Sequence, residues 1–435
     1  MNLFAKYLLF FVVLFLSTRL DGQNYTSFFT GNPNDVSTNP QFGICLIGGA
    51  AEPDEAMQWF LNLANGGDVL IIRTSGSDGY NDYFFNQLGV TVNSVETIRV
   101  NNPNGAVEPY VLQKLSQAEA IWFAGGDQAD YVSYFKDTAF ETILNDHINV
   151  KNYPVGGISA GMAIMGEYYF DALNGTVTSQ ESLSNPFDQR VSLGLSDFVN
   201  IPFLSKTITD THYDNPDRKG RHSAFLARIQ DTTNERVFGI GIDEYTSVCI
   251  DASGMANVYG EYPGFDDYAY FVQVNCLPDT LPENLNPDQP LDWNLNQEAI
   301  KVYRVPGNTQ GSNSFDLNTW ESGSGGQWEN WWIAQGVFAS QNSSPVDCEN
   351  LSTIRPVKVN FKYYPNPVED KLHLRAQNNI MSIAIYSLSG KELLIRSDVF
   401  DKSMRIDMAN FDKGVYLAKI NFDNAETSTI KLIKN

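Results

Sequence analysis

Gly157-Ile158-Ser159-Ala160-Gly161 sets a serine between two glycines in a G-x-S-x-G pattern. Glycine at both flanks admits a tight strand-to-helix turn that larger residues would block. Such a turn lifts the Ser159 hydroxyl clear of the backbone. The helix starting near Ala160 then aims backbone N–H groups at the same point. A nucleophile beside an anion site is equipment for acyl transfer. Similar turns also serve packing alone, so the supply of a base matters. Histidine is the usual base for a serine, and the chain has four: His147, His212, His222 and His373. His373 falls in a separate C-terminal segment. His147 is expected at the exposed end of an amphipathic helix, where the helix dipole explains it. His222 opens a helical stretch and reads as structural. His212 follows the apolar run Phe203, Leu204, Ile208, at a strand end, and is the expected base.

The elements that must carry these residues alternate. Gly43-Ile44-Cys45-Leu46-Ile47 is an apolar strand ending in Gly48-Gly49. A helix from Asp54 to Leu61 follows, then the strand Asp68 to Ile72. A helix from Asn81 to Leu88 and a strand-like run from Val90 to Val100 come next. Ala120-Ile121-Trp122-Phe123-Ala124 is a buried strand ending in Gly125-Gly126. Apolar strands alternating with helices predict a parallel α/β sheet covered on both faces. Sites in such sheets lie at the carboxyl ends of strands. Gly125-Gly126-Asp127-Gln128 and Ser159 both fall there, so they are expected to meet.

The remaining regions set boundaries. Lys6 followed by the apolar run Leu8 to Leu16 reads as a signal peptide over residues 1–22. That run is too short for a membrane span, and no other stretch approaches the length, so an exported protein without a transmembrane span is expected. A formal charge of −22 without a basic patch argues against nucleic acid as a partner, and it suits a cationic substrate or, equally, plain solubility. Cys45, Cys249, Cys276 and Cys348 fit zero to two disulfides, and no C-x-x-C spacing predicts a zinc site. No metal or organic cofactor is expected. A Gly/Trp-rich section, Trp320 to Trp332, could bind glycan or peptide but more often caps a core. Residues 341–360 form a polar linker. From 361 to 435, alternating runs such as Leu372-His373-Leu374 and Val415 to Ile420 predict a small β-sandwich.

The chain from about 42 to 275 resembles the cyanophycinase and dipeptidase E group of serine peptidases. Four motifs carry the likeness: Gly125-Gly126-Asp127-Gln128, Gly157 to Gly161, Asp210-Thr211-His212-Tyr213 with Arg218 and Gly220-Arg221, and Gly239-Ile240-Gly241-Ile242-Asp243-Glu244. The resemblance implies a flavodoxin-like sheet related to class I glutamine amidotransferases, within a peptidase domain spanning 40–340. It implies Ser159 as nucleophile and His212 as base, with an acid between them in sequence. Glu181 is the expected acid and Asp171 the runner-up. The same likeness implies an oxyanion hole from the N–H groups of Gly126 and Ala160. It makes Gln128, Asp210, Arg218 and Arg221 candidates for substrate binding, although an ion pair is an equal use for either arginine. The chain departs from the cyanophycin-degrading pattern at Asp214-Asn215-Pro216-Asp217, where the family commonly has Arg in place of Pro216.

The C-terminal segment resembles the type IX secretion sorting domain, through Tyr364-Pro365-Asn366-Pro367, Ile385 to Lys391, Gly414-Val415-Tyr416-Leu417 and Lys431 to Lys434. It implies the type IX machinery as partner and secretion or surface display as destination. The expected function is hydrolysis of peptide or isopeptide bonds through an acyl-enzyme. The alternatives are an inactive hydrolase-fold binding protein and an amidohydrolase or dipeptidase acting on small Asp-containing substrates.

Overall fold

A computed structural model describes residues 23–277, 280–346, 348, 361–387, 391–397, 399–423 and 427–435. The expected signal peptide, and most of the expected linker, lie outside these residues. The chain divides after Val346 into two compact units.

The first unit is built on two sheets. Its strands are β1 (Tyr25–Gly31), β2 (Gly43–Ile47), β3 (Asp68–Arg73), β4 (Ser94–Val100), β5 (Ala120–Phe123), β6 (Val155–Ile158), β7 (Tyr168–Phe170), β8 (Leu193–Leu195), β9 (Thr207–Asp210), β10 (Phe238–Ile242), β11 (Ser247–Asp251), β12 (Met255–Tyr259), β13 (Tyr268–Val274), β14 (Ile300–Pro306), β15 (Asn313–Asp316), β16 (Gly323–Ser324), β17 (Gln327–Ala334) and β18 (Val337–Asn342). One sheet runs β1-β4-β3-β5-β6-β2-β11-β12-β15-β16. Within it β4, β3, β5, β6 and β2 are mutually parallel. Taking β3 as first, this is the flavodoxin order 2-1-3-4-5, with the fifth place filled by β2 from earlier in the chain. The expected α/β class therefore holds. β2, β5 and β6 are buried along their whole length, which is why they read as unbroken apolar runs.

Helix Asp54–Leu63 buries Ala56, Met57, Phe60 and Leu61. Phe60 meets Trp122 of β5 with ring centroids 5.2 Å apart. Asp54 and Glu55 occupy the first turn, where the helix dipole favours acids. The helix expected at 81–88 is an α turn, Gly79–Asp82, continued by a π turn, Tyr83–Gln87. Residues ahead of 40 add β1, antiparallel to β4.

The second sheet runs β18-β17-β14-β13-β10-β9-β7-β8. Only β7, β9 and β10 are parallel neighbours in it. Helix Lys219–Thr233 connects β9 to β10 and is buried along most of its length, including Phe225, Leu226 and Ile229. Trp293 and Trp331 are fully buried, and Trp320 and Trp328 nearly so. Of the Gly/Trp-rich section, Trp331 belongs to this core with Trp332 packed against it, while Trp320 and Trp328 pack on Phe315.

Among its described residues the second unit is a six-stranded sheet, in which β19 (Phe361–Tyr364) leads to the 17-residue strand β20 (Lys371–Ser387). The first half of β20 pairs with Phe361–Tyr364 and Asp401–Asp407, and its second half with Glu392–Arg396 and Gly414–Phe422. The register shifts between Arg375 and Ile380, so the strand passes from one half of a curled sheet to the other. Leu372, Leu374, Ile383, Ile385, Ile420 and Leu432 fill its core. This alternation is the sandwich-like pattern legible in the sequence.

Candidate active site

β6 ends at Ile158, and Ser159 follows with φ 52° and ψ −118° before helix Ala160–Ala163. A non-glycine residue in that region costs on the order of 1–3 kcal/mol and persists only where its surroundings enforce it. The enforcement is visible. A Cβ on Gly161 would lie 2.2 Å from the Phe123 carbonyl oxygen, and one on Gly157 would lie 2.7 Å from the Gly161 backbone. Ser159 N–H donates to the Ile47 oxygen at 3.0 Å, anchoring the turn to β2. The Gly125 turn lies beside it: a Cβ there would sit 3.6 Å from the Ser159 Cβ. Gly126 and Ala160 thus lie in turns that flank Ser159. Gln128 opens helix Gln128–Phe135, and Asp127 caps that helix through the Ala129 N–H.

His212 follows β9 with φ 46°. Its N–H donates to the Gly48 oxygen at 2.9 Å. The imidazole lies on Gly49, where a Cβ would come 2.3 Å from the ring. His212 Nε2 is 2.8 Å from Ser159 Oγ, and Nδ1 is 2.6 Å from Glu244 Oε1. Glu244 lies just past β10. Its N–H donates to Asp214 Oδ1 at 2.9 Å, and its Oε2 accepts from Asn215 Nδ2 at 3.3 Å. The His212 hydrogen bond is the main force holding the Glu244 carboxyl below its usual range. Ser159 thus comes from one sheet and His212 and Glu244 from the other. The Gly48-Gly49 turn joins them: Gly48 N–H donates to the Thr246 oxygen and Gly49 oxygen accepts from Tyr245 N–H.

The expectation for the acid is corrected by this geometry. Glu181 sits in a capping box, accepting from Thr178 N–H at 2.9 Å and from Thr178 Oγ1 at 2.8 Å, and it pairs with Arg190 at 2.9 Å. The runner-up Asp171 accepts from Leu173 N–H and Ser192 Oγ. Neither is at His212. Asp210 and Arg221, expected at substrate, form a buried bidentate ion pair with each other. Arg218 donates to the Thr211 oxygen at 3.0 Å and keeps a buried Nε without a partner in the structure. His147 is fully buried, not exposed; Nε2 meets the Pro154 oxygen, and burial pushes its pKa down to about 3. His222 is buried against Tyr213 OH at 2.9 Å, and burial lowers it to about 4, as a structural histidine requires.

Asp243, beside Glu244, is the least comfortable group in the region. It is buried, its Oδ2 accepts from Tyr268 N–H at 3.2 Å, and its Oδ1 has no partner in the structure. Burial, aided by the charges of Asp214 and Asp267 and opposed by Lys219, pushes its pKa up to about 8. The folded protein therefore holds a proton that the unfolded chain releases from about pH 4 upward. Stability falls as pH rises through that window and levels off above about 8. Asp243→Asn keeps the shape without the ionisation. The variant is expected to melt above the parent at pH 8.5 and to show a shallower decline from pH 5. Thermal melts at the two pH values check this, and an unchanged slope would remove Asp243 as its source.

A cavity of about 660 Å³ opens next to Tyr245, lined also by Ala51, Pro53, Phe265 and the carboxylates of Glu52, Asp54, Glu55, Glu261 and Asp267. No lysine or arginine lines it. Among the described residues no cluster of His, Cys, Asp and Glu has metal-holding geometry.

A strained serine at the carboxyl end of a flavodoxin-like sheet, in hydrogen-bonded line with a histidine and a carboxylate from strand ends of the second sheet, is the arrangement of an α/β serine hydrolase. Residues 76–258, which contain all three side chains, match peptidase family S51, and residues 362–435 match the secretion system C-terminal sorting domain. The region carrying the three side chains is thus similar to the S51 peptidases, and the C-terminal segment to a sorting domain. A cyanophycinase of Trichormus variabilis is 26% identical over 177 residues, covering 41% of this chain and 53% of that protein. A cyanophycinase of Geminocystis herdmanii is 26% identical over 231 residues, covering 50% of this chain and 77% of the relative. The chain thus spans about half the length of the first of these relatives. The crystal structure of a peptidase from an acI-B1 Actinobacterium aligns at 13% identity with a TM-score of 0.39, covering 54% of this chain and 91% of that one.

Proposed function

We propose that the protein is an exported serine peptidase that cleaves peptide or isopeptide bonds through an acyl-enzyme. The supporting observation is the continuous line from Ser159 Oγ through His212 to Glu244 Oε1, at 2.8 and 2.6 Å. An ionised carboxylate only accepts hydrogen bonds, so Glu244 fixes the proton on Nδ1 and leaves Nε2 as the base. Ser159 Oγ attacks the carbonyl carbon and passes its proton to Nε2. The N–H groups of Gly126 and Ala160 hold the developing oxyanion. Collapse expels the amine, which takes the proton from His212. Water, deprotonated by the same nitrogen, then releases the acid and restores Ser159.

The acidic cavity beside Tyr245 favours substrates bearing a positive side chain. A screen of purified protein against cyanophycin, β-aspartyl dipeptides and Asp-Xaa dipeptides tests the reading, alongside covalent labelling by a serine-reactive phosphonate. Labelling at Ser159 with turnover of one of these is expected. No labelling and no turnover would favour the binding-protein alternative.

The sorting domain directs the chain to the type IX machinery. Ending the chain at residue 361 removes the matched segment and keeps Cys348. In a host with that machinery, the shortened protein is expected to stay in the periplasm with unchanged specific activity. Its normal appearance in the medium would refute the sorting role.

A further inference from the structure

β2 and β11 are antiparallel neighbours, and their register sets Cys45 directly opposite Cys249. Gly48 N–H donates to the Thr246 oxygen, three places along the same ladder. Hydrogen-bonded and non-hydrogen-bonded pairs alternate in such a ladder. Counting back from Gly48 and Thr246, the cysteines occupy a non-hydrogen-bonded pair. There the Cα atoms stand ~4.5 Å apart and the side chains are closest. That separation lies within the range a disulfide spans, roughly 4.4–6.8 Å. The two Sγ atoms are 3.7 Å apart, already in contact, and both side chains are fully buried. Cys276 is disulfide-bonded, as suits a chain routed to an oxidising compartment.

We propose that Cys45 and Cys249, free thiols in this structure, form a further disulfide in the exported protein. The bond forms by exchange. One thiolate attacks the disulfide of an oxidised dithiol protein or of oxidised glutathione, expelling one of its thiols. The second thiolate then attacks the mixed disulfide and expels the other. Two cysteine thiols are oxidised, and one external disulfide is reduced to two thiols. Exchange precedes burial, because the folded core admits no reagent and burial raises the Cys249 thiol far above its usual range.

The position gives the bond its consequence. Ser159, His212 and Glu244 all lie between Cys45 and Cys249 in sequence. A link there closes a long loop in the unfolded chain, the case in which a disulfide constrains most. It also ties the strand ending in Gly48-Gly49, on which His212 rests, to the strand that begins three residues after Glu244.

The full-length chain, recovered from an oxidising compartment, is denatured and its thiols are titrated. No free thiol is expected, and non-reduced peptide mapping should show Cys45 joined to Cys249. Two titratable thiols, with alkylated Cys45 and Cys249 peptides, would overturn the proposal, as would either cysteine joined to Cys276 or Cys348. As a second measurement, reductant should lower the Tm of the parent more than that of the Cys45→Ala, Cys249→Ala double variant. Equal shifts would also overturn it. If the double variant does not fold, thiol titration of the parent decides alone.

Discussion

Ser159→Ala is expected to lower hydrolysis by a factor on the order of 10⁴ or more while leaving the fold in place. The two outcomes have separate causes. The backbone at this position is held by the Gly157 and Gly161 contacts and by the bond from Ser159 N–H to Ile47. None of these uses the hydroxyl, and alanine keeps the same Cβ. The hydroxyl makes one hydrogen bond, to His212, in a partly exposed setting, so the expected change in stability is under ~1 kcal/mol. Without Oγ no acyl-enzyme forms, and only oxyanion stabilisation and binding remain to assist water. Circular dichroism and thermal melting check the fold, and turnover on the substrate found in the screen checks the chemistry. A folded variant with the parent's rate would end the serine mechanism.

The parallel half of the fold was legible because its strands are buried on both faces, as β2, β5 and β6 show. An unbroken apolar run needs no partner to be recognised. Ser159 was legible for a related reason, since its two flanking glycines are steric necessities of one local turn. Glu244 was harder to find. Sequence marks that a strand ends in Asp243-Glu244, but not which strand end faces which. β9 and β10 are adjacent and parallel, so their carboxyl ends bring His212 and Glu244 together across 32 positions. The acid that the resemblance implies between Ser159 and His212 is not the one the sheet brings to His212. Asp210 and Arg221 show the same limit, because sequence left Arg221 open between substrate binding and an ion pair without naming the partner. The strand-end and helix-start positions that suit a ligand also suit each other, and the helix that follows β9 folds Arg221 back onto Asp210. Gly48-Gly49 was visible only as the end of a strand; its service to His212 appears once both sheets are assembled.

Exchanging one carboxylate for an amide separates the two acids by function. Glu244→Gln is expected to reduce kcat on the order of 10³–10⁴-fold with little effect on thermal stability, as loss of a triad carboxylate does elsewhere. A neutral amide does not stabilise the imidazolium that forms when Nε2 takes the serine proton. Its N–H₂ can also donate to Nδ1, which fixes the tautomer with the proton on Nε2 and removes the base. Asn215 and Asp214 still hold the residue in place through its second oxygen and its backbone N–H, so the loss is chemical rather than architectural. Glu181→Gln should do the reverse. Its carboxylate serves the capping box and Arg190, with no bond to His212. The rate should stay near that of the parent, with a modest drop in Tm from weaker capping. Measuring kcat and Tm for both variants side by side is decisive. A dead Glu181→Gln beside an active Glu244→Gln would return the acid to the interval between Ser159 and His212, and the hydrogen bond at 2.6 Å would then be a structural contact only.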